Sequence, residues 1–378
     1  MGVAGATDDG AATTTPSERA CWIALSLVAG IGPVRFQRLL EVCGGAEAAW
    51  DAPSVQLAMA GLERRSIAAL QRLRQQTTPA AAMERLERLG IRPLMLLDQD
   101  YPLALRQIAD PPPVLFVRGA LSAADEPAVA LVGTRRATAY GRAVADRLAR
   151  DLATAGVTVV SGLARGIDTA AHTASLEAGG RTLAVLGNGL DQVYPPQNTP
   201  LARKIVSTGG GALISEFGPG VPPDAVNFPR RNRIIAGLAR VTVIVEAGER
   251  SGATITADFA LEQGREVMVV PGSIFSPLSS GCHTLLKQGA SPVTCAQDIL
   301  DVLGVAAAAG AGGGVARRLP VLGPLEHDVW DALAYDPRHV DELARALGRP
   351  AGEVAASLVV LELEGMARPV GPMLYTRA

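Results

Sequence analysis

The sequence predicts an α/β protein with a mostly parallel sheet, flanked by an N-terminal helical domain and a C-terminal winged helix. Three observations carry this prediction. From Pro127 to about Leu303, short continuous apolar runs alternate with helical stretches, and most runs have a glycine close by. Ahead of that block, apolar residues recur along a largely helical segment. Behind it, an Ala/Gly-rich stretch precedes a compact unit that reads as three helices and a hairpin. The expected boundaries are a disordered tail over 1–18, a helical domain over 19–90, the α/β domain over 91–303, a linker over 304–318 and the winged helix over 319–378.

The helical domain is read from Leu25, Val28, Leu39, Leu40, Met59, Ile67 and Leu70, with a further helix around Ala80 to Leu89. A short strand follows at Arg92 to Leu97. The run Asp110-Pro-Pro-Pro113 is a loop feeding an extended segment, Val114–Val117. The six apolar runs of the next block are Ala128–Val132, Val157–Val160, Thr182–Leu186, Ala212–Ile214, Val241–Val245 and Val267–Val270. Unbroken apolar strands are the pattern of a sheet buried on both faces, as parallel sheets are. The last unit is read as helices over Glu326–Ala334, Val340–Leu347 and Ala351–Glu364. A hairpin, Ala367–Val370 with Met373–Thr376, completes a winged helix-turn-helix.

With 378 residues, 48% of them hydrophobic, the chain can bury a sizeable core. Met1 to Ser17 is polar and small, and the apolar stretch Ala20–Val28 is too short to span a bilayer, so a cytoplasmic protein with no membrane contact is expected. Cys21, Cys43, Cys282 and Cys295 form no C-x-x-C pair and no zinc-ligand spacing, so neither a metal site nor a disulfide is expected. The formal net charge is −2, so any nucleic-acid site must be a local patch. Lys204 and Lys287 are the only lysines, and a phosphate clamp here would be built from guanidinium groups.

Three glycine-rich turns follow the first three strands of the α/β block: Gly133-Thr134-Arg135, Ser161-Gly162-Leu163-Ala164-Arg165-Gly166 and Gly187-Asn188-Gly189. In an open α/β sheet ligands bind beyond the carboxyl ends of the strands, where helix N-termini suit phosphate. The turns therefore predict an anion site, although tight strand-to-helix turns need glycine in any case. No G-x-G-x-x-G follows the first strand, and position 192 is Gln, so a nicotinamide enzyme is disfavoured and no cofactor is expected. The densest cation cluster is Phe228-Pro229-Arg230-Arg231-Asn232-Arg233, expected to open a helix at Ile234. Guanidinium groups for phosphates and a phenyl face for a base are the parts of a single-strand site; the competing reading is a solvated basic turn with Phe228 in the core. Ser251-Gly252 opens a further helix, with Ser251 a plausible N-cap, and offers another phosphate position.

Taken in order, these motifs resemble the DprA/Smf family. The resemblance rests on Val132-Gly-Thr-Arg135, Ser161 to Asp168 with Ala171-His172, Leu186 to Asp191 with Tyr194-Pro195, Ser215-Glu216, Phe228 to Arg233, Val245-Glu-Ala247, Ser251-Gly252 and Pro271-Gly272. Upstream it includes Tyr101-Pro102, Asp110 to Pro113 and Arg118-Gly119. It implies an extended Rossmann-like domain that binds single-stranded DNA in a basic pocket. It further implies a homodimer, interaction with RecA, and a non-enzymatic role in protecting DNA and loading RecA during natural transformation and recombination. By motif, Arg135 would hold a phosphate. Ser161, Gly162, Gly187 and Gly189 would line the pocket, and Phe228, Arg230, Arg231 and Asn232 would face the strand. Some relatives carry a lysine just before the Phe-Pro-x-Arg-Asn motif; Pro222 to Asn227 has no cation here. His283 stands where relatives often have Asn.

The turn Val28-Ala-Gly30-Ile-Gly32-Pro33 admits two readings, a helix-hairpin-helix turn that meets a DNA phosphate or an interhelical turn of a SAM-like domain. Between Arg349 and Arg368 there is no cation, while Glu353, Glu362 and Glu364 are acidic, so the winged helix is expected to bind a partner rather than read a DNA sequence. The alternative function is a Rossmann-like nucleotide-binding hydrolase using Glu216 or Glu246 as acid or base. A winged-helix transcription factor is disfavoured by the same acidic helix.

Overall fold

The computed structural model describes residues 15–249, 251–305, 322–334, 337–364 and 366–377. Most of the expected tail and of the expected linker lies outside the described residues. The chain divides into two compact units. One comprises the chain up to Ser122 with Leu186–Tyr194 and Ala212–Arg231; the other comprises Ala123–Val185, Pro195–Gly211 and Asn232 onward.

In the first unit, helix Pro16–Ser26 begins inside the expected tail. Pro16 loses nothing at the helix start, where its missing N–H has no partner to serve, and Thr15 Oγ1 accepts from the Glu18 N–H at 3.1 Å. Helices Pro33–Cys43, Ala46–Asp51, Ser54–Met59, Arg64–Gln76 and Pro79–Arg88 follow. Their core gathers Leu25, Phe36, Leu39, Trp50, Leu57 and Leu70. Strand β1 (Arg92–Met95) ends two residues before the expected limit. The chain turns there because the Asp98 carboxylate accepts from the Met95 N–H at 2.9 Å. Arg19 donates both terminal nitrogens to Asp98, at 2.6 and 2.8 Å, and Trp22 Nε1 donates to the Pro113 carbonyl at 3.0 Å. These bonds tie the first helix to the segment carrying β1 and β2 (Val114–Gly119).

Strand β2 pairs antiparallel with β1 and with the later strand Gly211–Ser215. The sequence gives Val114–Val117 only as an extended segment, so the antiparallel direction of β2 is a finding of the structure. An unbroken apolar run reports burial on both faces and carries no information about direction.

The second unit holds the parallel ladder. Strands β3 (Ala128–Gly133), β4 (Thr158–Ser161) and β5 (Thr182–Val185) lie side by side in chain order. With Gly211–Ser215 as β6, the strands β7 (Val241–Glu246), β8 (Glu266–Val269) and β9 (Ser291–Pro292) extend from the other side of β3. Strand order therefore reverses at β3, which puts the Gly133–Arg135 turn at a topological switch point. All six residues of β7 are buried, as a strand covered on both faces requires. Helices Ala139–Thr154, Ile167–Glu177 and Ala296–Leu303 contribute to one core with Val129, Leu131, Val159 and Val243.

The C-terminal domain is a winged helix. Helices Pro324–Ala332, Val340–Leu347 and Ala351–Leu363 pack around Val329, Leu343, Val354, Leu358 and Leu361. The expected hairpin is present as Ala367–Gly371 and Leu374–Arg377, and a two-residue strand, Arg338–His339, adds to its edge. No described helix is long and apolar enough to cross a membrane.

Candidate functional site

At the switch point, most backbone donors expected to meet a phosphate already serve the protein. The Thr134 N–H donates to the Glu246 carbonyl at 2.7 Å. Glu246 is 3% exposed, and its carboxylate accepts from the Thr138 N–H at 2.9 Å and the Thr138 hydroxyl at 2.8 Å. Thr138 in turn caps helix Ala139–Thr154 by accepting from the Gly141 N–H at 3.0 Å. A fixed carboxylate therefore occupies the positive end of this helix, the position a phosphate would use. A Cβ at Gly141 would lie 2.5 Å from Glu246 Oε2, so the glycine makes room for that carboxylate.

The second turn is filled in the same way. The N–H groups of Gly162 and Ala164 donate to Asp168 Oδ2 at 3.1 and 3.2 Å. Ser161 is fully buried, and its hydroxyl donates to the Leu131 carbonyl at 2.7 Å, joining β4 to β3. His172 is buried too. The Thr182 hydroxyl donates to the Val159 carbonyl at 2.7 Å, so His172 Nδ1 donates to that hydroxyl at 2.6 Å. His172 Nε2 then accepts from the Leu163 N–H at 3.3 Å. This ring fixes the loop at Leu163, whose φ is +56°.

What these loops leave at the surface is guanidinium. Arg135, Arg136 and Arg165 are all exposed. A Cβ at Gly166 would sit 2.3 Å from the Thr134 carbonyl oxygen and 2.9 Å from the Arg135 carbonyl carbon, so the two arginine-bearing turns touch backbone to backbone. Arg136 and Arg165 form no ion pair among the described residues. The sequence assigns neither to the site, although Arg165 lies within the second glycine-rich turn and Arg136 directly follows the first, and those positions are the signal that could have found them.

The third turn belongs to the first unit. Gly187 and Gly189 are buried. A Cβ on Gly187 would lie 2.8 Å from Phe228 Cδ1; one on Gly189 would lie 2.4 Å from the Gly218 carbonyl oxygen. Both glycines thus serve close packing. Phe228 is half-buried, and its ring centroid lies 5.6 Å from that of Tyr194 at an interplanar angle of 31°. Tyr194 is 41% exposed and is a further aromatic face, standing in the Tyr194-Pro195 motif, which by itself carries no sign of a binding role. Arg230 is exposed, with its guanidinium carbon 5.7 Å from the centroid of Phe217.

The Phe228–Arg233 cluster lies within helix Asn227–Gly237 rather than ahead of a helix starting at Ile234. Proline is tolerated in a first helical turn, so Pro229 does not mark the boundary. Helical spacing then turns part of the cluster inward: Arg231, Asn232 and Arg233 are 4%, 8% and 5% exposed. Asn232 Nδ2 donates to the Gly252 carbonyl at 3.1 Å, bringing together two expected site residues for a structural purpose. Ser251 is the N-cap of helix Gly252–Glu262, accepting from the Ala253 N–H at 3.3 Å. Ser251 is half-buried and Gly252 exposed.

Chemically, the arrangement offers exposed guanidinium groups, an aromatic pair and little else. Both Glu246 oxygens are committed to Thr138. Burial pushes the Cys282 thiol up to about 11, which suits a packed side chain and not a nucleophile. No three His, Cys, Asp or Glu side chains come together as a metal site among the described residues.

A parallel sheet with its switch point at an arginine-bearing turn, followed by a winged helix, defines a mixed α/β protein with an appended helical module. More narrowly, the chain belongs to the family of DNA recombination-mediator protein A: that family's model matches residues 92–304, and the DprA winged helix domain matches 316–371. Protein Smf of Synechocystis sp. is 34% identical over 396 residues, covering 96% of this chain and 99% of the relative. The DNA processing protein DprA of Streptococcus pneumoniae is 47% identical over 205 residues, 54% of this chain and 72% of the relative. The X-ray structure of the latter protein matches with a TM-score of 0.63 at 36% identity, covering 75% of this chain and 97% of that one. The Helicobacter pylori DNA processing protein A, solved for its single-stranded DNA binding mode, matches with a TM-score of 0.51 at 30% identity, over 56% and 95% of the two chains.

Proposed function

We propose that this chain binds single-stranded DNA through arginine side chains and an aromatic pair, without catalysing a reaction on it. The observation that carries the reading is the Phe228–Tyr194 pair with exposed Arg230 two residues further along the same helix. Aromatic faces take bases without regard to sequence, and guanidinium groups take the phosphates between them. Exposed Arg135, with Arg136 and Arg165 in the adjoining turns, supplies the second set of phosphate contacts. Gly133, Thr134, Ser161, Gly162, Gly187 and Gly189 hold these side chains in place, and Arg231, Asn232 and Arg233 hold the helix. In each unit the phosphate contacts are thus read as coming from side chains. The Helicobacter pylori relative, described for its single-stranded DNA binding, supports the same ligand.

The finer role is the one the sequence resemblance implies. The chain acts in the cytoplasm as a homodimer, protects single strands during transformation or recombination, and helps place RecA on them. The winged helix binds a protein partner: Val359, Val360 and Leu363 are exposed beside Glu353, Glu362 and Glu364. Fluorescence anisotropy with labelled oligo-dT and a duplex of equal length tests the binding reading, and tight oligo-dT binding with weaker duplex binding is expected. Equal affinity for both would overturn the single-strand preference. RecA filament growth on DNA coated with single-strand-binding protein, with and without this chain, tests the loading role.

A further inference from the structure

The Val28–Pro33 turn, left with two readings by the sequence, forms one side of a groove of about 530 Å³ in the first unit. Phe217, Gly218, Val221 and Arg230 form the other side. This volume falls within the range of about 300–1,000 Å³ typical of small-molecule sites. Its walls are fixed. Gly218 packs so closely on the turn that a Cβ there would lie 2.3 Å from Leu27 Cδ2. Gly30 has φ +86°, and its added Cβ would lie 2.5 Å from Ser66 Oγ, so the turn is wedged from behind as well.

Charge and polarity select the occupant. Arg230 forms no ion pair among the described residues, and its Nη2 lies 4.0 Å from where a Cβ on Gly32 would stand. The other cation, Arg35, donates to the Gly30 carbonyl at 3.0 Å and pairs with Glu63. Glu216 adds a half-buried carboxylate. One available guanidinium with a carboxylate nearby is a poor cage for a free anion. The remaining lining, with Ile31, Val34 and Val221, is apolar. A ligand that alternates anionic and apolar parts fits this better than phosphate alone. Phe228 and Tyr194 do not line the groove, but Asn227 and Arg230 line it from the first turns of the helix that carries Phe228.

We infer that this groove carries the continuation of the bound single strand. The strand passes over the first turn of helix Asn227–Gly237 from the Phe228–Tyr194 pair. One phosphate then lies on Arg230, and a sugar or base lies against Val34 and Val221. The inference rests on the single-strand reading above and extends it to the helical domain.

The test uses the full chain with p-benzoylphenylalanine in place of Val34, which is 73% exposed in the groove. The control places the same group at Val42, 38% exposed on the same helix and outside the groove. Irradiation with labelled oligo-dT is expected to crosslink position 34 and not position 42. In parallel, Val34→Glu is expected to weaken binding of an oligo-dT of about 20 nucleotides while leaving one of about 6 unchanged, since only the longer strand reaches beyond the aromatic pair. The expected loss is about fivefold, the effect of one like charge near a phosphate in water. Equal crosslinking at both positions, or unchanged long-strand affinity of Val34→Glu, would overturn the groove while leaving the aromatic pair in place. Failure of the parent chain to bind oligo-dT at all would sink both.

Discussion

Gly187 and Phe228 are in direct contact: a methyl group on the glycine would stand 2.8 Å from Cδ1 and 3.2 Å from Cε1 of the ring. The glycine therefore sets where the aromatic face lies. Gly187→Ala must move the ring or the turn, at a cost of about 1–3 kcal/mol for an overpacked site. Weaker oligo-dT binding in a folded protein with a lowered Tm is expected. Full affinity at unchanged Tm would show that the contact does not position Phe228.

Phe228→Ala and Tyr194→Ala each remove a stacking face. Each should cost about 1–3 kcal/mol of binding free energy to single strands. Stacking releases no counterions, so the salt dependence should stay as in the parent. A salt slope that changes with either aromatic would mean that its ring acts through the neighbouring arginines.

Glu246 separates binding from catalysis. Its two oxygens serve Thr138 at a helix N-terminus. Glu246→Gln should lower stability by about 1–2 kcal/mol, because one charged hydrogen-bond acceptor at the helix end is lost. Thermal melting reads that loss, and oligo-dT affinity should not change. Nucleotide turnover by the parent that disappears in this variant would instead favour the hydrolase reading.

The Arg19–Asp98 pair gives the first unit a dependence on pH. Burial alone would raise the Asp98 carboxyl, but bonding to Arg19 and the Met95 N–H holds it below the ordinary carboxylate range. A depressed folded value stabilises the protein above the unfolded pKa, and the contribution fades as pH falls through the folded value. Asp98→Asn should cost about 1–2 kcal/mol near neutral pH, a charged bond discounted for the partial exposure of Arg19. The variant should also lose less stability than the parent on acidification. Melting curves across the acid range check both, and parallel pH profiles would contradict the assignment.

Much of this fold is legible in the sequence because buried strands leave unbroken apolar runs, as Val241–Val245 does inside β7. Direction is not written in such runs, which is why the antiparallel pairing of Gly211–Ser215 with β2 needed the structure. The two residues of β9 and of Arg338–His339 are too short to show a period. The site was legible as a set of residues but not as a set of roles. A glycine beside a strand end looks the same whether it faces a ligand, a phenyl ring as Gly187 does, or a carboxylate as Gly141 does. The arginine cluster was visible as composition. Its division into exposed Arg230 and buried Arg231 and Arg233 follows from a helix that starts at Asn227, across a proline that looked like a boundary.

If guanidinium side chains rather than helix ends hold the phosphates, the salt dependence of oligo-dT binding must follow the arginines. Affinity measured against salt concentration for the parent, Arg135→Ala, Arg230→Ala and the double variant reads this directly. Each single variant should flatten the log–log slope by about 0.7, and the double variant by about twice that, the counterion release expected per phosphate on a single strand. Slopes that match the parent in all three folded variants would contradict the account.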